Sequence, residues 1–219
     1  EAFRDIMAGF TEKITGQSSH LRLLAVDGSD IQIATNPDDE DTYFPGSNGQ
    51  KPYSLIHLNA LYDLEQHIYA DSRIQGRMNW NEHKALQEMV DNSDIQNALV
   101  IADRGYESYN NMAHIQEKGW FFLIRIKDGK TGIKDGLLLP EENEFDVDIC
   151  LKLVRKQTNK IKELLKDKNN YKYVPHSTSF DYLPDKTRKA DPVTFYELKF
   201  RVVRFEIGPY SYETVLTNL

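Results

Sequence analysis

Two aspartates close apolar runs. Asp27 follows LLAV in LLAVDGS, and Asp103 follows LVIA in LVIADRGY. In open α/β sheets, functional groups gather at the carboxyl ends of strands. A carboxylate placed there stays charged at low cost when something pairs with it, and a divalent cation between two carboxylates is such a partner. Mg²⁺ is hard, prefers oxygen and sheds water reluctantly, so a few carboxylates plus phosphate oxygens suit it. Two such ions, roughly 3.5–4 Å apart, activate an attacking oxygen and stabilise a leaving one in phosphoryl transfer. A competing role is structural. Gly28-Ser29 follows Asp27 and Arg104-Gly105 follows Asp103, so each carboxylate is also placed to cap a turn. Arg104, adjacent to Asp103, is expected to orient it.

Other chemistries find less support. Asn79, with Glu82 three residues later, resembles a capping box. His57 lies in an alternating apolar stretch and reads as a satisfied core residue. His83 and His114 fall on expected helices, without an i, i+4 pair and third ligand of the kind zinc needs. No phosphate-binding Gly-rich loop with Lys-Ser/Thr occurs. A phosphatase of the haloacid-dehalogenase type would need an aspartate two residues before Asp27, where this chain has Ala25. The single cysteine, Cys150, excludes an internal disulfide and a multi-cysteine zinc site. Within FDVDICLKLV it reads as a buried structural thiol, and a reducing, cytoplasmic location fits.

The elements that would position these residues follow from pattern. LRLLAV (21–26) and IQIAT (31–35) read as strands, with Gly28 as a bulge or turn between them. Residues 36–52 are acidic and turn-rich, expected to be a mobile loop. Tyr53–Tyr62 and His67–Ala70 suggest a hairpin across Asp63-Leu64-Glu65. Ala85, Leu86, Met89 and Val90 have helical spacing. Asn97–Ala102 reads as a buried parallel strand. Tyr106–Lys118 reads as a helix stopped by Gly119, and Trp120–Lys127 as the next strand. Residues 128–194 change character, with glycine-rich turns, a strand at 145–154, a lysine-rich helix around 155–167 and a polar stretch. Phe195–Phe205 and Tyr212–Leu216 return to strand pattern across Gly208-Pro209. The order implies an α/β layer with a mixed sheet.

The chain has 219 residues, 40% hydrophobic and 28% charged, enough for one core or a core plus a subdomain. No run of about 18 apolar residues is present to span a bilayer, and the opening EAFRDIMAGF is too charged for a secretory signal. The net charge of −7 hides an asymmetry: residues 151–201 hold 13 Lys and Arg against 6 Asp and Glu. A basic block on an acidic body suits either a phosphate-facing surface or a solvated helix face.

VDGS (26–29), ADRGY (102–106) and FFLIRIK (121–127), together with FRVVRF (200–205) and YETVLTNL (212–219), resemble the DDE transposases of bacterial insertion sequences. The resemblance is to the group with a YREK signature, the insertion sequence four family. It implies an RNase H-like mixed sheet flanked by helices, with an inserted subdomain before a final helix. On that division residues 1–19 end an N-terminal region, 20–127 form the core, 128–194 the insertion and 195–219 the return to core strands. It also implies a carboxylate triad holding two Mg²⁺ or Mn²⁺ ions, with Asp27 matching the first carboxylate and Asp103 the second. The third, a glutamate in Tyr-x2-Arg-x3-Glu-x6-Lys, has no counterpart among the 219 residues. The start at Glu1 and the end just past a strand pattern agree with a piece of a longer protein, expected to be inactive alone. Arg104, Arg125 and Lys127 match positions that would hold double-stranded DNA, and period-two alternation puts Arg125 and Lys127 on one face. The lysine-rich segment Lys152–Lys172 would then track phosphates or remain solvated. A homodimer on DNA, in a bacterial cytoplasm and associated with the nucleoid, completes the expectation. The alternative is a non-catalytic DNA-binding or assembly remnant of a decayed or domesticated element.

Overall fold

The structure is a computed structural model that describes residues 20–47, 49–127, 132–186, 188 and 190–219. The helix end and connector expected over 1–19, and part of the glycine-rich turn after Lys127, lie outside the described residues. The chain divides into two compact units at the Ile101/Ala102 boundary. Both mix strands with short helices, in agreement with the mixed α/β class expected.

The first unit is organised around β1 (Arg22–Ile33). In the acidic segment 36–52, β2 (Tyr43–Phe44) forms and pairs with the start of β3 (Tyr53–Asp63). β3 runs antiparallel to β1, with Leu24 opposite Asp63 and Ile33 opposite Ser54. β4 (Ile68–Gln75) returns along the other edge of β3. The turn between them is held by Asp63, whose Oδ1 accepts the Glu65 and Gln66 N–H groups, and by His67 at φ 55°. β3 turns His57, Asn59, Leu61 and Asp63 to its covered face, so three polar side chains are buried with one leucine.

The helix α1 (Glu82–Asp91) packs on β3 and β4 through Ala85, Leu86, Met89 and Val90, all essentially inaccessible. Burial of side chains this size is worth roughly 1.5–3 kcal/mol each. Its cap differs from the expectation. Asn81, not Asn79, accepts the Lys84 N–H. Asn79 sits in a 3-10 turn, because Gln75 clasps the backbone of Asn81 with both ends of its amide and fixes where the helix begins. β5 (Ala98–Ala102) then pairs parallel to β1 over Arg22–Ala25.

One expectation about β1 is corrected. The sequence suggested two strands broken at Gly28, yet β1 is continuous and its pairing with β3 runs unbroken from Leu24 to Ile33. Gly28 is there for space, not for a bend, and Asp27 is an interior strand residue.

In the second unit, Asp103 leads into a 3-10 turn (Arg104–Tyr106), and α2 (Tyr109–Glu117) follows. The helix starts later than Tyr106 because Ser108 caps it by accepting the Asn110 N–H. It ends before Gly119, whose φ of 75° suits glycine. Five strands follow: β6 (Phe121–Arg125), β7 (Phe145–Val154), β8 (Tyr171–Tyr173), β9 (Tyr196–Gly208) and β10 (Ser211–Thr217). They order as β6-β10-β9-β7-β8, antiparallel except for β7 with β8. The lysine-rich helix is shorter than expected: α3 covers only Asn159–Leu164, capped by Thr158 and buried through Ile161 alone.

Cys150 is a second correction. It is exposed, whereas its neighbours Ile149 and Leu151 are 4% and 0% exposed. The run is apolar in composition, but β7 alternates, and the thiol falls on the outer phase.

Candidate functional site

Asp27 is exposed on β1, and its Oδ1 accepts the N–H of Gly28 at 2.9 Å. Its other oxygen makes no hydrogen bond to a described residue. Beneath this stretch stands His57 on β3, opposite Asp30 in the strand register and 3% exposed. Its Nδ1 lies 2.7 Å from Asp30 Oδ1, and its Nε2 lies 3.0 Å from Glu82 Oε1 at the start of α1. The indole of Trp80 covers the ring at 4.5 Å between centroids. A Cβ on Gly28 would lie 2.6 Å from Glu82 Oε1 and 2.7 Å from His57 Nε2. The pair therefore packs directly on the backbone beside Asp27. The expectation of a buried His57 holds. Its partners are two half-exposed acids rather than the core.

Asp103 is likewise exposed, and its Oδ1 accepts the Gly105 N–H at 2.8 Å. It thus does cap the turn that follows, and its other oxygen makes no hydrogen bond to a described residue. Arg104 does not orient it, contrary to expectation. The Arg104 guanidinium donates to Glu213 Oε1 at 2.7 Å. Arg125, at the end of β6, donates to both oxygens of the same carboxylate, at 2.6 and 3.0 Å. Glu213 is 13% exposed and takes both arginines. Adjacency in sequence lost to this arrangement because one well-covered carboxylate on β10 offers a bidentate acceptor. The hydrogen bonds from Arg125 hold the Glu213 carboxyl below its ordinary range, against burial, with Arg104 adding to the effect. The hydrogen bond to Glu213 pushes Arg125 upward, with the Glu213 charge and then that of Asp103 adding to it.

Lys127 is exposed beyond the end of β6, with Ile126 buried between it and Arg125, so the alternation predicted for this strand is present. Its backbone N–H donates to Glu107. His114 is committed elsewhere: its Nε2 lies 2.9 Å from Asp181, which Asn110 also binds. Burial alone would raise the Asp181 carboxyl, but these hydrogen bonds outweigh it and hold the group low.

Two residues escaped the sequence reading. Glu213 lies within the YETVLTNL run, but its hold on two arginines depends on β10 pairing with β6, where Val215 faces Arg125. Glu82 was read as a helix-cap residue, and its contact with His57 depends on the packing of α1 against β3.

Among the described residues no group of three or more His, Cys, Asp and Glu side chains gathers as a metal centre. The donors at hand nevertheless suit a hard cation. Each of Asp27 and Asp103 is an exposed carboxylate with one oxygen fixed by a backbone N–H and one oxygen available. No described helix is long and apolar enough to cross a membrane.

No curated protein matches the sequence. Among solved structures, the piggyBac transposase, in a cryo-EM synaptic complex with hairpin DNA, aligns with 90% of the chain at 10% identity and a TM-score of 0.44. The chain spans 33% of that protein's length. The sequence model of the family described as Transposase DDE domain matches residues 18–203. That span takes in both aspartates, His57, Glu82, Arg104, Arg125 and Lys127, and the chain belongs to the DDE transposase domain family.

Proposed function

We propose that the chain is most of the catalytic core of a DNA transposase, in which Asp27 and Asp103 hold divalent metal. The supporting observation is the register of β1 and β5. Ala25 stands opposite Ile101, and along the chain Asp27 and Asp103 each come two residues later. Both parallel strands thus run into a carboxylate at the same offset. The reaction is hydrolysis of a DNA phosphodiester at the ends of a mobile element, followed by strand transfer from the 3′-hydroxyl. Mg²⁺ or Mn²⁺ supplies Lewis acidity there when bound. The protein's own part is to hold the carboxylates ionised and aimed. Gly28 N–H and Gly105 N–H each fix one oxygen, leaving the other for the cation.

Arg104, Arg125 and Lys127 are the groups we assign to the DNA backbone. Glu213 keeps the first two extended, and the side chains of Arg104 and Arg125 remain 42% and 52% exposed. The subgroup is that with the YREK signature, from a bacterial insertion sequence. The segment 128–194 is its insertion, and the protein acts in the cytoplasm as a homodimer on duplex DNA. The Tyr-x2-Arg-x3-Glu-x6-Lys motif that would carry the third carboxylate has no counterpart among these 219 residues, and on this reading the chain alone does not cleave DNA.

Metal binding tests this without activity. Mn²⁺ is expected to raise the melting temperature of the chain, by the equivalent of about 2.7 kcal/mol at a hundredfold excess over Kd. Asp27→Ala and Asp103→Ala should each remove most of that rise. A rise that survives both substitutions rules out the assignment.

A further inference from the structure

We propose that His57, braced between Asp30 and Glu82, is a positioning residue for Asp27. The inference rests on the reading of Asp27 as a metal ligand.

The argument is one of contact. His57 is buried inside the first unit with a carboxylate against each ring nitrogen and Trp80 on its face. Its Nε2 is shielded from solvent, and the contact to Glu82, though 3.0 Å long, is not aligned as a hydrogen bond. Burying a polar ring this way is costly unless something is gained by it. A purely structural histidine in β3 would be served as well by a backbone carbonyl. Here the partners are two acids, 49% and 38% exposed, from two other elements, and all three converge on one stretch of β1. Glu82 could have remained a solvated acid favouring the helix N-terminus. Instead its carboxylate lies over Gly28.

Gly28 is the link. The His57–Glu82 pair occupies the space a side chain would need at that position. The Gly28 N–H is the donor that fixes Asp27 Oδ1. Glu82 and His57 thus press on the peptide whose N–H sets the Asp27 carboxylate. Asp30, three residues on, ties the same strand to the ring from the other side. A metal ligand's affinity depends on how firmly such outer partners hold it, and their loss typically costs about 10–100-fold. Neither His57 nor Glu82 needs to touch the ion.

The test is the Kd for Mn²⁺ of the 219-residue chain, measured by electron paramagnetic resonance of the free ion, alongside its melting temperature. Glu82→Ala and His57→Ala are expected to weaken Mn²⁺ binding about tenfold. Glu82→Gln separates positioning from charge, because it removes the charge but keeps an acceptor against the ring. It should restore most of the affinity. His57→Gln should restore part of it, since the amide reaches one of the two acids. Glu82 is half-exposed at a helix start, so its variants fold even if His57→Ala does not. Unchanged affinity in the Glu82 and His57 variants, with only a lowered melting temperature, overturns the proposal and leaves Asp27 as a ligand. Equal loss in Glu82→Ala and Glu82→Gln also overturns it, in favour of a through-space charge effect. Failure of the underlying reading has a different signature: no Mn²⁺ binding by the parent chain, or undiminished binding by Asp27→Ala.

Discussion

Asp27 and Asp103 are held by regions of opposite character. Around Asp27, on a strand of 12 residues, the nearby charges are acidic, Asp30 and Glu82, and one buried histidine separates them. Around Asp103, in a turn, the nearby charges are two arginines, and one acid, Glu213, gathers them. Both carboxylates use the same local device, an oxygen accepting a backbone N–H one or two residues ahead. What differs is the layer behind it. The first region is braced from below by packing, so it is sensitive to volume. The second is arranged by ion pairs at partial exposure, so it is sensitive to charge, salt and pH.

The largest expected effect comes from breaking the brace with volume. In Gly28→Ala the new methyl meets the buried His57 ring and the Glu82 carboxylate. Overpacking of this kind costs about 1–3 kcal/mol, read from the denaturant midpoint. Glu82→Ala, by emptying the space on one side, should recover part of the loss in the double variant. A Gly28→Ala chain as stable as the parent would show that the brace yields freely and that the two regions differ less than their geometry suggests.

Charge should break the second region and leave the first untouched. Glu213→Gln removes the acid that neutralises Arg104 and Arg125. Binding to a nonspecific duplex should tighten, and the slope of log K against log salt should steepen by about one per arginine that then meets a phosphate. Weaker binding would mean instead that Glu213 mainly aims the guanidiniums. The same pair gives a pH dependence. The Glu213 carboxyl is held below its ordinary value of 4.5. Its contribution to stability is therefore complete above that value and is lost as the pH falls through the lower, folded-state value. The stability difference between parent and Glu213→Gln should shrink on acidification below 4.5 and vanish once the pH lies under the lower, folded-state value. A difference that stays flat across that window would exclude the ion pairs as its source.

The smallest effect is a control far from either carboxylate. Cys150 is exposed on β7, so Cys150→Ser should change stability by less than about 0.5 kcal/mol. The native thiol should react readily with a thiol reagent. Slow labelling would place it in the core after all.

Much of the scaffold was legible because strand and helix periodicity is local. The apolar runs before Asp27 and Asp103 are β1 and β5, the 85/86/89/90 spacing is the buried face of α1, and Gly119 ends α2. The errors share a cause. The helix cap moved from Asn79 to Asn81 because Gln75, at the end of β4, decided it. Gly28 looked like a break because glycine is a local punctuation mark, and the reason for it lies 29 and 54 residues downstream, at His57 and Glu82. Arg104 was assigned to its neighbour Asp103, but its partner is 109 residues away.

By itself the sequence determined the family-bearing motifs, the two aspartates with their turn-forming neighbours, and the mixed α/β order of elements. These depend on residue type and short-range spacing, and the chain carries both directly. Only the tertiary structure decided what stands behind each aspartate. Which acid meets His57, and which acid gathers Arg104 and Arg125, follows from strand register and helix packing. Those pairings bring together residues that no local pattern connects.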